Sequence, residues 1–332
     1  MNTNKATVII TGAAGFVGSH VAHALLTRGF RVVGIDNLND YYLPRLKTMR
    51  LDRLREYNGF IFHKIDIADH DRMRALKDFR EAAVVIHLAA QAGVRYSLEN
   101  PFAYASSNLL GHLSVLECVR HAPQRPRLVY ASSSSVYGAN TKAPFCESDP
   151  VTKPVSLYAA TKRADELLSE SYARLYDIEQ IGLRFFTVYG PWGRPDMAYW
   201  TFTEKVLAGE PIQVFNNGDM ERDFTYIDDI VAGVIATALE PAQFESEIRH
   251  RVYNIGNNKP EKLLRFIEII EAATGREAIK KMEPMQPGDV YATFADIDAI
   301  KKDYGFTPTT SLEDGMQTFV DWYREFRDAM NS

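Results

Sequence analysis

The chain has 332 residues, of which 46% are hydrophobic and 24% charged, and a formal net charge of −5. That is enough apolar sequence for one large or two smaller cored domains, and mild acidity without a stripe of basic and aromatic residues argues against a nucleic-acid surface. No apolar run approaches the roughly 18 residues of a membrane span, and Cys118 and Cys146 lack the spacing of a metal or redox pair.

Met1-Asn2-Thr3-Asn4-Lys5 leads directly into an apolar run, with no room for a secretory signal, so a cytoplasmic protein is expected. The run Ala6-Thr7-Val8-Ile9-Ile10 is short and β-branched. It is followed by Thr11-Gly12-Ala13-Ala14-Gly15-Phe16-Val17-Gly18 and an apolar-periodic segment to Leu26, which reads as strand, glycine turn and helix. Glycines allow close backbone approach and positive φ, and a helix N-terminus offers unpaired N–H groups to a pyrophosphate. Such a turn also joins strand to helix with no ligand. The next strand, Arg31-Val32-Val33-Gly34-Ile35, ends at Asp36, 18 residues after Gly18, where an acidic group meets the adenosine ribose of a dinucleotide. A carboxylate there would repel a 2′-phosphate, and the next residue is Asn37 rather than arginine, so NAD is favoured over NADP.

Further strands are expected near 59–65, 83–88, 127–132 and 180–184, with helical patterns between them. The fold class is α/β: a doubly wound parallel (Rossmann) sheet with a smaller C-terminal α/β substrate lobe. Residues 1–186, with a return of the chain near 223–257, should form the NAD-binding domain, and 187–222 with 258–332 the substrate domain. Val252-Tyr253-Asn254-Ile255-Gly256 reads as the returning strand and 311–328 as a final helix. Arg249-His250-Arg251 reads as a solvated loop, and His20 with His23 as decoration of a helix face; no metal is expected.

Ligands of such sheets sit at the carboxyl ends of the strands, here Gly12, Asp36, Asp66, Leu88-Ala89-Ala90, Ser132 to Ser135 and Thr187. Asp66, with Ile67, either reaches the adenine or closes a turn. Downstream, Tyr158-Ala-Ala-Thr-Lys162 puts a phenol and an ammonium four residues apart on one helix face, able to reach one substrate and one cofactor together. An ordinary phenol titrates near about 10, so a phenol base at neutral pH needs positive charge beside it. Lys162 and an oxidised nicotinamide are two such charges.

The set Gly12-x-x-Gly15-x-x-Gly18, Asp36, His87-Leu88-Ala89-Ala90, Ser132-Ser133-Ser134-Ser135-Val136-Tyr137-Gly138 and Tyr158-x-x-x-Lys162 resembles the extended short-chain dehydrogenase/reductase superfamily over nearly the whole chain. Within it, the stretch from Leu183 to Ala198 and Gln286-Pro287-Gly288-Asp289-Val290 resemble the UDP-glucuronate 4-epimerases. The resemblance implies hydride removal from a sugar C4 to NAD, a transient 4-keto sugar nucleotide, and hydride return to the opposite face. Tyr158, Lys162 and Ser133 would be catalytic; Phe16, Val17, Asn37 and Phe185 join the glycines, Asp36, Asp66, Ile67, Leu88, Ala89 and Ala90 as cofactor contacts.

Related dehydratases and decarboxylases carry a glutamate just before Val-Tyr-Gly; here it is Ser135, which is neither a strong acid nor a strong base. Ser133, Ser134 and Ser135 are therefore candidate sugar contacts, while Ser132 reads as a strand end capping its own backbone. By resemblance, Arg194 and Thr187 contact a C5 carboxylate, a role suited to a planar guanidinium. Arg222 would ground a diphosphate and Asp289 the nucleotide ribose, with Gln286 lacking the charge that other epimerases place there. Gln213 against the nucleotide and Arg95 against the substrate stand level with structural roles. The family also implies a homodimer through a four-helix bundle made by the helices after Pro101 and Ser156, although leucines such as Leu109, Leu113, Leu116, Leu167 and Leu168 would equally suit burial within one subunit. The expected partner is a UDP-uronic acid. A neutral UDP-sugar 4-epimerase shares every redox residue, a UDP-glucuronate decarboxylase ranks behind it, and an NAD-sensing relative without catalysis would have been favoured by loss of Tyr158 or Lys162.

Overall fold

The computed structural model describes residues 6–285 and 291–331. Short β-branched runs form the strands because side chains buried on both faces favour residues that pack on a pleat. In chain order these are β1 (Thr7–Thr11), β2 (Arg31–Asp36), β3 (Phe60–Lys64), β4 (Ala82–His87), β5 (Arg127–Ser133), β6 (Gln180–Phe185), β7 (Thr187–Tyr189), β8 (Ile212–Phe215), β9 (Glu221–Tyr226), β10 (His250–Ile255), β11 (Pro260–Lys262), β12 (Lys280–Glu283) and β13 (Ala292–Thr293). Seven of them form one sheet in the order β10-β6-β5-β4-β1-β2-β3, and every pairing in it is parallel. The chain direction across the sheet reverses between β1 and β4, the switch point where such sheets open a crevice.

Alternation along the strands divides the core. Ile9, Val33, Ile35, Val85, Leu128 and Tyr130 face one layer, while Val8, Ile10, Val32, Val84, Ile86 and Val129 face the other. Each face is covered by helices, which is the doubly wound arrangement expected. The sheet registers Thr11 with Ile35 and His87, and Ser133 with Phe185. The carboxyl ends of five strands are thereby brought to one rim.

Outside this sheet, β9 pairs with β11 antiparallel and with β13 and β7 parallel, and β8 pairs with β12. The helix Leu312–Asn331 closes this part through Trp322, Phe319 and Phe326 packed around Trp200. Among the described residues no helix is long and apolar enough to cross a membrane.

Expectation and structure differ at Arg249-His250-Arg251. His250 and Arg251 open β10, and Arg249 just before it accepts the Gln180 N–H at 2.8 Å, so the segment is not a solvated loop; parallel pairing with β6 extends the strand beyond its apolar run. Its charges are matched there: Arg249 pairs with Glu179 at 2.5 Å, Arg251 with Asp303 at 3.0 Å, and His250 Nε2 lies 2.8 Å from the Tyr130 hydroxyl.

Candidate active site

The first turn is built by steric necessity. Gly12 has φ of +73°, and a Cβ there would lie 2.7 Å from Ala89 N; a Cβ on Gly18 would lie 2.0 Å from Gly12 O. The backbone of the turn thus packs against both its own helix and the Leu88–Ala89 strand end, and no side chain caps the helix Phe16–Thr27. At the end of β2, Asp36 accepts the Ala14 N–H at 3.1 Å and the Leu38 N–H at 2.9 Å, one on each oxygen. Burial raises its carboxyl above the usual range, while these bonds and Lys47 oppose the rise. Asp36 therefore braces the glycine turn.

A cavity of about 270 Å³ runs along the rim. It is lined by Gly12, Gly15, Phe16, Val17, Gly18, Asp36, Asn37, Ile67, Leu88, Ala89 and Ala90 at one end and by Ser133, Tyr158, Lys162, Phe185 and Arg194 at the other. A glycine cradle that side chains would fill, a buried carboxylate at the end of β2 and a cavity lined by both fit a dinucleotide. Among the described residues no group of three or more His, Cys, Asp or Glu is placed to hold a metal.

The reactive end hangs on the helix Leu157–Tyr176, whose N-cap Ser156 accepts the Ala159 N–H. Lys162 is buried and donates to Ala131 O at 3.0 Å and to Asp165 Oδ2 at 3.1 Å. Tyr158 sits edge-on to Tyr104, with ring centroids 6.0 Å apart. Ser133 Oγ accepts the Ser135 N–H at 3.2 Å and donates to Ser135 Oγ at the same distance, so Ser135 orients Ser133 and is not itself among the cavity-lining residues; neither is Ser134.

Ser132 departs from its expected role. It does not cap its own backbone but donates to Glu166 at 2.6 Å, because the parallel register sets it beside the buried Glu166–Arg184 pair on the helix and β6. A π-type turn at Ala105–Leu110 brings in Asn108, which bonds Gln91 N, Gln91 O and Thr161 Oγ1 and so ties the Ala89–Gln91 strand end to the reactive helix.

Arg194 is held sideways. Its Nε and Nη2 donate to the two oxygens of Asp196 at 3.1 and 2.5 Å, and Tyr41 donates to the same carboxylate at 3.2 Å. Burial alone would lower the guanidinium's pKa, but Asp196 outweighs it and raises the group still further above its ordinary value. This side-on pairing leaves the Nη1–Nη2 edge for a second carboxylate. The loop behind Arg194 is fastened by Arg50, which is fully buried. It donates to Trp192 O (3.0 and 2.6 Å), Gly193 O (2.7 Å), Ala14 O (3.0 Å) and Tyr42 OH (2.7 Å), joining the glycine turn to the Arg194 loop through one side chain.

Thr187 lines a second cavity, with Met197 common to both. Phe202, Phe215, Phe224, Met220 and Leu263 wall this second space, with Gln213 and Arg222 on its lining and Arg95 stacked over Phe215 at 5.3 Å. Arg222 also donates to Glu221 O and Tyr291 O. Asp66 lies off both cavities: it accepts the Ala68 N–H and the Asn37 amide, each at 2.9 Å, the turn-closing alternative. Gln286 and Asp289 lie outside the described residues.

Sequence reasoning missed Arg50, Asp196, Tyr41, Tyr42, Lys47 and Asn39, of which the last four line the main cavity with Tyr41 at its edge. The signal available was the polar and aromatic run from Asn37 to Tyr42 immediately after β2. Little that is local marks Arg50, since apart from the Tyr42 hydroxyl its acceptors are carbonyl groups more than thirty residues away in sequence.

The model of the NAD dependent epimerase/dehydratase family matches residues 8–256. Over 335 residues the chain is 46% identical to UDP-glucuronate 4-epimerase 4 of Arabidopsis thaliana, covering 97% of this chain and 76% of that protein. It is 47% identical to Protein CapI of Staphylococcus aureus, covering 96% and 98%. Among solved structures, UDP-glucuronic acid 4-epimerase from Bacillus cereus in complex with UDP-glucuronic acid and NAD superposes with a TM-score of 0.87 at 35% identity, covering 96% of this chain and 99% of that one.

Proposed function

The chain belongs to the NAD dependent epimerase/dehydratase family, and from that we propose that it interconverts UDP-glucuronate and UDP-galacturonate by inverting C4 with bound NAD. The observation that carries this is a single cavity running from the glycine turn to Tyr158 and Lys162, with the open edge of a guanidinium, Arg194, in its wall. Gly12, Gly15, Gly18 and Asp36 hold the dinucleotide, with Phe16, Val17, Asn37, Ile67, Leu88, Ala89, Ala90 and Phe185 around it. NAD held there would supply the acceptor and donor of the C4 hydride. Tyr158 takes the proton of the C4 hydroxyl and later returns one, Lys162 supplies positive charge beside the phenol, and Ser133 hydrogen-bonds the sugar oxygen. Inversion requires the 4-keto sugar to turn over while its nucleotide stays anchored. The aromatic second cavity provides that anchor, with Arg222 at the diphosphate and Gln213 near the nucleotide, so residues 187–222 and 258–332 carry the UDP-sugar and 1–186 with 223–257 carry NAD.

A 4-keto uronate is a β-keto acid prone to lose carbon dioxide. Arg194 restrains its carboxylate, and Ser135 in place of an acid removes a group that would assist the loss. Proton NMR of the purified protein with UDP-glucuronic acid tests the function: signals of UDP-galacturonic acid support it, and a UDP-pentose or no change overturns it. Arg194→Ala is expected to lower epimerisation at least about 100-fold and to divert product to a pentose. Unchanged uronate binding and product partition would remove Arg194 from this role.

One observation favours a second reading. Asp196 already balances Arg194, so an uncharged sugar would leave no unpaired cation in the wall. Activity on UDP-galactose without activity on UDP-glucuronate selects that neutral-sugar epimerase.

The protein is also read as a cytoplasmic homodimer. Leu98 and Phe102 are 74% and 84% exposed, and Leu167 and Leu175, on the neighbouring helix Leu157–Tyr176, are 51% and 66% exposed, an apolar surface suited to a four-helix contact between two copies. Sedimentation velocity at micromolar concentration is expected to give twice the chain mass; a monomer would exclude the bundle.

A further inference from the structure

The reactive lysine has a carboxylate of its own. Tyr158, Lys162 and Asp165 follow one another at spacings of four and three residues and share a face of the helix Leu157–Tyr176. Lys162 Nζ is 3.1 Å from Asp165 Oδ2, and both side chains are almost wholly buried, 4% and 1% exposed. The other oxygen, Asp165 Oδ1, is buried and has no hydrogen-bond partner among the described residues. An ionised carboxylate kept out of water with half its acceptor capacity unused is costly, and a helix needs no acid at this point.

Among the described residues, the groups around Lys162 supply no other charge to balance it. Glu166, next on the helix, is engaged by Arg184 from β6, by Ser132 and by Arg163. His87 at the end of β4 and His112 of the facing helix are both kept neutral by burial, His87 down to about 3. Tyr130 of β5 is a phenol that burial pushes well up, so it stays uncharged. Asp165 is therefore the counter-charge of the lysine that serves Tyr158.

We propose that Asp165 is a positioning residue that sets the strength of the positive field Lys162 presents to Tyr158. Ionised, it offsets the ammonium and raises the pH at which the phenol can act as base; protonated, it leaves the lysine charge in full. Burial lifts the Asp165 carboxyl to about 6, against the pull of Lys162, so this switch lies on the acid side of neutrality. As pH falls toward 6 the offset weakens, so the phenolate is lost more gradually than beside a fixed Asp165 charge, which extends activity toward acid.

This rests on the epimerase reading, and the test separates the two. If wild-type protein does not epimerise UDP-glucuronate, the reading fails whatever Asp165 does. With an active wild type, Asp165→Asn is expected to move the acid limb of kcat/KM down by about one pH unit, the effect of one charge acting over several ångströms of protein. Ultraviolet difference titration of tyrosinate, each protein against its own Tyr158→Phe counterpart, should show the Tyr158 transition move the same way without any turnover. Asp165→Ala, which removes charge and contact together, should shift in the same direction. A limb and a Tyr158 transition that stay in place in both variants, whatever happens to kcat or thermal stability, would reduce Asp165 to a structural role and overturn the proposal.

Discussion

Tyr158→Phe is expected to lower kcat on UDP-glucuronate by about 1,000-fold, within the range that a positioned general base contributes, while leaving bound NAD in place. In this reading the phenol takes and returns the proton at C4, while Lys162 is committed to Ala131 O and Asp165. The ring's packing against Tyr104 does not depend on the hydroxyl. The glycine cradle and Asp36 are remote in sequence and held by other bonds, so cofactor content should match wild type. Single-turnover and steady-state rates together with NAD released on denaturation check this. A loss of less than tenfold would show that another group, or water, moves the proton.

The second large effect is on stability. Glu166 is 1% exposed and receives Arg184 at 2.8 and 2.9 Å, Ser132 at 2.6 Å and Arg163 at 2.8 Å. Glu166→Gln keeps the shape but removes the charge, leaving the Arg184 guanidinium buried without its counter-ion and turning an N–H toward other donors. Breaking a buried pair from one side costs about 3–5 kcal/mol, which corresponds to a fall in melting temperature of roughly 6–10 °C. Burial pushes the Glu166 carboxyl up, but Arg184 more than reverses this and holds it below the ordinary range. For a depressed carboxylate the added stability is fully present above the unfolded value, about 4.5, and is lost as pH falls through the lower folded value. The gap between variant and wild type should therefore be widest near neutral pH and narrow in acid. Calorimetry at several pH values decides; equal melting temperatures at pH 7 would mean Arg184 finds another partner. Because Ser132 adjoins Ser133 and Glu166 lies on the Tyr158 helix, the surviving fold should also lose activity.

How far the site was legible follows from where each signal resides. The glycine turn, Asp36 and the Tyr158–Lys162 pair are local: glycines answer a close backbone approach, an acid closes a strand, and four residues make one helical step. Each could be read from neighbours in the chain. Ser132 could not, because its partner Glu166 comes across the sheet only through the register of β5 with β6. His250 and Arg251 misled for the same reason: their polar character says loop, and only the pairing of β10 with β6 makes them strand. The bond from the Asn37 amide to Asp66 likewise joins the ends of β2 and β3, which no local pattern announces.

By itself the sequence determined the alternating strands and helices, the tight glycine turn and the placing of Tyr158 and Lys162 on one helix, since hydrophobic period, glycine placement and helical spacing act over a few residues. The tertiary structure alone decided what stands around them. Arg50 links Ala14 to Trp192 and Gly193, Asp196 engages the Nε–Nη2 side of Arg194, and Lys162 pairs with Asp165 where both are buried. Burial gives those contacts their energetic weight, and burial is set by the packing of distant segments.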